Sequence, residues 1–220
     1  MKSFLIGAAT SNSGKTTFTM GLLRALRNRR LRVQPFKCGP DYIDTMFHYI
    51  ASGSESVNLD SFLSSEQHVR EIFSEYSAGA DIAVVEGVMG LFDGYDKWKG
   101  SSAEIALAIN APVILVVNAK SVAYSVAPLI YGFSRFNPRL KIAGVVFNNV
   151  ASQNHFSFLQ SACRDAGCEC LGYMTRIPEL EIPGRHLGLT ISEKENMERI
   201  ISIAAKEIEA HFDIDKLLAL

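Results

Sequence analysis

Charge of one sign, long apolar runs and paired cysteine motifs are what this sequence lacks. Lys and Arg total 22 against 23 for Asp and Glu, a formal net charge of −1. There is therefore no global attraction to nucleic acid or to an anionic membrane, and an acidic ligand has to be held by local charge. No apolar run reaches the ~18 residues of a membrane span, and Phe4-Leu5-Ile6 reads as a first strand rather than as the apolar part of a secretory signal. A cytoplasmic protein that engages neither nucleic acid nor membrane is the expectation. The four cysteines, Cys38, Cys163, Cys168 and Cys170, include one Cys-x-Cys and no pair of Cys-x-x-Cys motifs, which argues against structural zinc and for free thiols.

What is present is a chain of 220 residues, 48% hydrophobic and 20% charged, enough to bury a core as one α/β domain. Its organising stretch is Gly7-Ala8-Ala9-Thr10-Ser11-Asn12-Ser13-Gly14-Lys15-Thr16-Thr17. It follows the strand Phe4–Ile6 and runs into Phe18–Leu26, whose apolar residues recur at helical spacing. Strand, small-residue loop and helix in that order make a triphosphate site. Backbone N–H groups of Asn12, Ser13, Gly14 and Thr17 and the positive helix end face the phosphates, Lys15 reaches the outer ones, and the Thr16 hydroxyl can ligate Mg²⁺. The strict pattern has Gly where this chain has Ala9, the smallest substitute.

Further along, Leu31–Phe36 reads as a strand, with Pro35 marking its end or an edge. In Lys37-Cys38-Gly39-Pro40-Asp41-Tyr42-Ile43-Asp44, either Asp41 or Asp44 could cap the helix that follows, and capping does not require both. Ser64 with Gln67 fits a capping box for a helix to Tyr76. Ile82–Val85 is a continuous apolar strand that delivers Glu86 to its carboxyl end, where phosphate-loop enzymes hold Mg²⁺ or its water. Residues 90–100 read as a loop over that edge, with Trp98 between Lys97 and Lys99, a lid candidate for a flat or acidic substrate. A helix over 102–110, a strand over 112–118, a helix over 121–136, a strand over 141–149, a helix over 152–166 and a short strand over 169–173 complete the alternation. It predicts a mostly parallel sheet with helices on both faces and ligands at its carboxyl edge. Asn148, at that edge, is a candidate for adenine. Residues 177–189 read as a long connection, and Ser192 with Glu195 as a capping box for a last helix to about His211.

Several of these segments together resemble one family, the cobyrinic acid a,c-diamide synthases, in their N-terminal ATP-binding half. The segments are Phe36–Asp44, Asn58-Leu59-Asp60, Glu86-Gly87-Val88-Met89-Gly90-Leu91-Phe92-Asp93-Gly94 and Arg185-His186-Leu187-Gly188-Leu189, in order and at fitting spacing. The resemblance implies a P-loop NTPase-like fold and ATP- and Mg²⁺-dependent amidation of the a and c acetates of a corrinoid through acyl phosphates. Ammonia would come from glutamine by way of a C-terminal glutaminase domain, and a homodimer is one arrangement it allows. By the same resemblance Lys15 and Thr16 hold phosphate and Mg²⁺, Asp41, Asp44 and Glu86 organise metal and substrate, and Asn148 meets adenine. Lys37 is expected to join Lys15 and Mg²⁺ where two anions meet. On this reading residues 1–212 are the synthetase domain and residues 213–220 begin a linker to a glutaminase domain that is either cut away or replaced by a partner.

The competing readings are a sibling amidase acting on hydrogenobyrinic acid or a nickel tetrapyrrole, a carboxylate-phosphorylating enzyme like dethiobiotin synthetase, and a ParA/MinD-type switch ATPase. The last class carries an early second lysine where this chain has Thr10.

Overall fold

A computed structural model describes residues 1–180 and the backbone of 191–220, with side chains from residue 194 onward. Strands β1 (Lys2–Ala8), β2 (Val33–Cys38), β3 (Val57–Leu59), β4 (Ile82–Glu86), β5 (Val113–Asn118), β6 (Ile142–Val150) and β7 (Cys170–Thr175) alternate with helices α1 (Lys15–Asn28), α2 (Ile43–Ser52), α3 (Glu66–Ser77), α4 (Ser102–Ala108), α5 (Val126–Arg135), α6 (Gln153–Asp165), α7 (Ile191–His211) and α8 (Ile214–Ala219). The strands form one seven-stranded sheet in the order β3-β2-β4-β1-β5-β6-β7. Every pairing is parallel, as continuous apolar strands separated by helices require. This is the P-loop NTPase-like arrangement expected, and its carboxyl edge gathers the loops after all seven strands.

Period-two alternation splits each strand between two cores. In β1, Phe4, Ile6 and Ala8 face the layer of α1, α2, α7 and α8, where they meet Phe18, Phe47, Ile200 and Leu217. Leu5 faces the layer of α3 to α6, with Phe73, Ile105, Ile130 and Leu159. Among the described residues no helix is long and apolar enough to cross a membrane.

Five local expectations are corrected. Pro35 is inside β2, yet pairing with β3 begins only at Phe36↔Val57, so the missing N–H costs no ladder bond on that side. The cap of α3 is Ser65, whose side chain accepts from His68 N at 3.1 Å, while Ser64 Oγ donates to Asp60 O at 2.5 Å. Helix α5 begins at Val126 rather than at 121, because Ser121 has φ 61° and breaks the approach. A strand absent from the sequence reading, β3, is three residues long and has too short a pattern to betray itself. Residues 213–220, expected as linker, instead contain α8, capped by Asp213 and anchored by buried Ile214 and Leu217. Asp213 N also donates to Leu171 O of β7 at 2.8 Å, so the packed unit runs past residue 212. The Arg185–Leu189 motif and the Ser192 cap lie outside the described residues or side chains.

Candidate functional site: a phosphate loop joined to a buried ion cluster

The loop between β1 and α1 is built to receive an anion. Gly14 is the N-cap of α1 with φ 92°, no side chain caps that helix end, and its first turn holds no acid. The positive end of a helix whose first turn carries neither a capping side chain nor an acid is where an anion is favoured. A Cβ on Gly14 would come within 2.0 Å of Asn148 Nδ2, so glycine is required by space as well as by φ. Ser13 is buried and donates from Oγ to Thr10 O at 2.8 Å, while Asn12 is exposed with φ 59°. Lys15 is buried and donates from Nζ to Met89 O at 2.5 Å, which joins the loop to the segment after β4.

Beneath Thr16 lies a cluster of ions. In register, Lys37 of β2 stands beside Glu86 of β4, and the first turn of α2 brings Asp44 over them. Lys37 Nζ donates to Asp44 Oδ2 at 2.7 Å, Glu86 Oε1 at 3.1 Å and Gly87 O at 3.2 Å. Thr16 Oγ1 donates to Glu86 Oε1 at 2.6 Å and is 3.5 Å from Asp44 Oδ2. Lys37, Asp44 and Glu86 are 3%, 1% and 0% exposed. Burial alone would discharge the Lys37 ammonium, but the opposed charges of Glu86 and Asp44 outweigh it and raise its pKa. Burial likewise opposes the Glu86 carboxylate, and Lys37 together with hydrogen bonds from His48 and Thr16 holds its pKa well below the usual range. Asp44 moves the other way, raised by burial and by the charge of Glu86 despite Lys37. Two carboxylates around one ammonium are thus driven apart in proton affinity.

His48 was not among the expected site residues. It is 0% exposed; Nε2 lies 2.6 Å from Glu86 Oε2 and Nδ1 lies 3.0 Å from Ser56 Oγ. The available signal was its spacing, since His48 is four residues after Asp44 and so shares a helix face with it.

Asp41 stays out of the cluster as a bonded member. Its Oδ1 accepts from Ile43 N at 2.9 Å and Asp44 N at 3.1 Å, so of the two candidates Asp41 does the capping and Asp44 is free of that task. Asn58 ties the same loop down by donating to Gly39 O and Asp41 O at 2.6 and 3.0 Å. Asn148 braces the phosphate loop, donating from Nδ2 to Ser13 O at 3.1 Å. It also lines, with Thr17, Thr175 and Ile177, a cavity of about 190 Å³ beside the loop.

The donor set suits a hard divalent cation. Thr16 Oγ1 and the carboxylates of Asp44 and Glu86 converge within 3.5 Å, all oxygen. Among the described residues no group of three or more His, Cys, Asp or Glu could hold a metal by itself. A hydroxyl and two carboxylates would suit Mg²⁺ bound together with a nucleotide's phosphates, where the ion would supply positive charge.

Comparison with known proteins identifies the family of the chain. The family model described as the CobQ/CobB/MinD/ParA nucleotide binding domain matches residues 4–189, and the chain belongs to that family. A cobyrinate a,c-diamide synthase of Listeria monocytogenes serotype 4b (strain F2365) is 46% identical over 100% of this chain and 50% of its own length. One from Picrophilus torridus is 45% identical over 99% of this chain and 50% of its own. A hydrogenobyrinate a,c-diamide synthase of Brucella ovis is 43% identical over 99% and 50%. The chain spans about half the length of the curated relatives it matches. Chloroplast FtsY from Physcomitrella patens superposes with a TM-score of 0.55 at 13% identity, covering 91% of this chain and 65% of that one, a likeness of fold alone.

Proposed function

We propose that this member of the CobQ/CobB/MinD/ParA nucleotide-binding family uses ATP and Mg²⁺ to activate the a and c acetate carboxylates of cobyrinic acid for amidation. The observation that carries the reading is the Lys37–Asp44–Glu86 cluster bonded to Thr16 at the end of the phosphate loop. Transfer of a phosphoryl group to a carboxylate brings two anions together, so catalysis is mostly positioning and charge stabilisation.

In this reading the N–H groups at the start of α1 and the Lys15 ammonium hold the triphosphate, and the cavity beside Thr17, Asn148 and Thr175 seats the adenine. Thr16, Asp44 and Glu86 would hold Mg²⁺, which supplies positive charge across the phosphate oxygens. Lys37 stays protonated because both its carboxylate neighbours favour the charged form. It therefore offers a fixed cation at the place where the substrate carboxylate must meet the transferred group. Burial of the cluster keeps water from competing for the acyl phosphate until ammonia arrives. Glutamine would feed that ammonia by way of a glutaminase domain, as the resemblance of the sequence motifs implies. The Brucella relative favours hydrogenobyrinate as the second reading for the ring.

The experiment supplies cobyrinate or hydrogenobyrinate with ATP·Mg²⁺ and either ammonium or glutamine, and follows amide product by mass and ADP release by coupled assay. Tetrapyrrole-dependent ADP release and ammonium-driven amidation are expected. Glutamine is expected not to replace ammonium in this chain alone: Cys38 and Cys163 are buried, with burial pushing the Cys38 thiol up to about 12, and the half-buried thiols meet Ala166 O (Cys168, 3.9 Å) and Cys163 (Cys170) rather than a histidine base. ATP turnover indifferent to any tetrapyrrole would sink the reading in favour of a switch ATPase.

A further inference from the structure

Two segments far apart in sequence bring a pair of uncovered aromatic rings to the edge of the sheet where the ion cluster lies. Phe62 follows the end of β3 and Tyr95 follows the end of β4, the two strands that flank Lys37-bearing β2. The rings meet edge to face, with centroids 5.0 Å apart and planes at 60°. They are nevertheless 64% and 62% exposed. A scattered exposed aromatic needs no explanation, but a paired one held in place by a polar scaffold does.

That scaffold is continuous. Asp60 Oδ1 accepts from Phe62 N at 2.8 Å and Leu63 N at 3.2 Å, which turns the chain outward at the ring. Glu104 of α4 then clamps both segments through one oxygen, accepting from Ser61 Oγ at 2.6 Å and from Gly100 N at 2.7 Å. Inside the second segment Tyr95 N donates to Lys99 O at 3.0 Å and Gly94 N to Lys97 O at 2.8 Å. Gly100 has φ 75°, and a Cβ there would come within 2.6 Å of the Tyr95 ring, so glycine is what lets the ring lie where it does. The 94–100 segment is thus a tied turn, and its order is in place before a ligand arrives. Exposed Lys97 and Lys99 stand in the same turn.

We infer that Phe62 and Tyr95 form a preorganised platform for the apolar face of a tetrapyrrole, with Lys97 and Lys99 meeting carboxylates on its rim. The inference rests on the tetrapyrrole reading above. Ring faces supply contact area to a flat apolar macrocycle, and Lys97, together with Lys99 once it exchanges its exposed 3.6 Å pair with Asp96 for the ligand, complements a polycarboxylate edge. The platform stands at the carboxyl edge of the strands that flank Lys37-bearing β2, and on this reading an acetate arm of the ring reaches inward to the phosphoryl group.

Titration of the chain with cobyrinic acid, followed by the absorbance of the macrocycle, tests this alongside calorimetry of ATP·Mg²⁺. The Phe62→Ala/Tyr95→Ala double variant should weaken tetrapyrrole binding by about tenfold or more while ATP affinity stays within about twofold. Gly100→Ala, which displaces the Tyr95 ring without removing it, should weaken the tetrapyrrole in the same direction. Phe158→Ala, an exposed aromatic on α6, should change neither. Tetrapyrrole affinity unchanged in the double variant and in Gly100→Ala would overturn the platform while leaving the functional reading intact. Wild-type chain that binds ATP·Mg²⁺ but no tetrapyrrole would overturn the functional reading, and the platform with it.

Discussion

Strands β2 and β4 carry an ion pair across each of their two ends, and the pairs could hardly differ more in surroundings. At the amino end Arg32 meets Asp81 at 2.8 Å with side chains 70% and 37% exposed. At the carboxyl end Lys37 meets Glu86 at 3.1 Å and Asp44 at 2.7 Å with side chains 3%, 0% and 1% exposed. The register between the ends is regular, Val33↔Ile82 through Lys37↔Glu86, so the same two strands present similar charges to opposite conditions. The outer pair gains little, because water solvates and salt screens it. The inner cluster survives desolvation only because its ions are multiply bonded. The Lys37 ammonium has three acceptors, and Glu86 is held from one side by Thr16 and Lys37 and from the other by His48. A parallel sheet takes its ligands at the carboxyl edge, and there this protein concentrates the costly charge.

The comparison breaks most visibly at Lys37. Lys37→Met keeps the volume and leaves two carboxylates facing each other without their cation. Unfolding in denaturant should show a loss of about 3–5 kcal/mol, and turnover should vanish. Arg32→Met should leave the unfolding midpoint almost unmoved. A Lys37→Met protein as stable as wild type would mean that the two carboxylates are not both ionised beside it. Glu86→Gln separates charge from shape within the same cluster. Turnover should fall by about 10²–10³, and stability by about 1–3 kcal/mol, less than in Lys37→Met because the Lys37 ammonium keeps Asp44 as its anion; full activity in that variant would remove Glu86 from the phosphoryl chemistry.

His48 gives the next smaller effect. His48→Ala leaves Glu86 Oε2 buried without its partner, at a cost of about 1–3 kcal/mol. It also frees the carboxylate to turn away from Thr16. The Mg²⁺ concentration needed for half-maximal nucleotide binding should therefore rise by about 10–100-fold, with partial recovery in His48→Gln. Unchanged Mg²⁺ dependence with lost stability would reduce His48 to a packing role.

What could be read from the sequence was whatever rests on local pattern. Gly14-Lys15-Thr16 between a strand and a helix and Glu86 at the end of an apolar run both announce their chemistry within a dozen residues. Between Asp41 and Asp44 the sequence offers more carboxylates than one cap needs, and only the fold shows that it is Asp41 Oδ1 that accepts from Ile43 N and Asp44 N. The rest depends on contacts with no local signature. His48 acquires its role from Glu86 and Ser56, reached through β4 and the turn before β3, and helical periodicity accounts equally well for a plain core histidine. Cap choice between Ser64 and Ser65 turns on a single hydrogen bond. The tying of Phe62 to Tyr95 through Glu104 joins three segments that no spacing rule connects. Residues 213–219 carry apolar positions too few to distinguish a linker from a short helix until β7 is there to receive them.

The smallest effect belongs to the outer pair, and its dependence on solution conditions sharpens the contrast. Hydrogen bonds from Arg32 hold the Asp81 carboxyl at about 2, below the usual carboxylate range. A depressed carboxyl contributes stability that is present above its unfolded pKa and is lost as pH falls through its folded one. The difference in thermal midpoint between wild type and Asp81→Asn should therefore be slight at neutral pH, shrink between about pH 4 and pH 2, and shrink further in high salt. Both side chains reach solvent, so screening keeps the effect small at every pH. Melting curves for the two proteins across that range, at low and high salt, test it. An Asp81→Asn variant that melts as early as Lys37→Met, or whose deficit ignores salt, would show that the outer pair is coupled to the sheet as firmly as the inner one, and that burial is not what separates them.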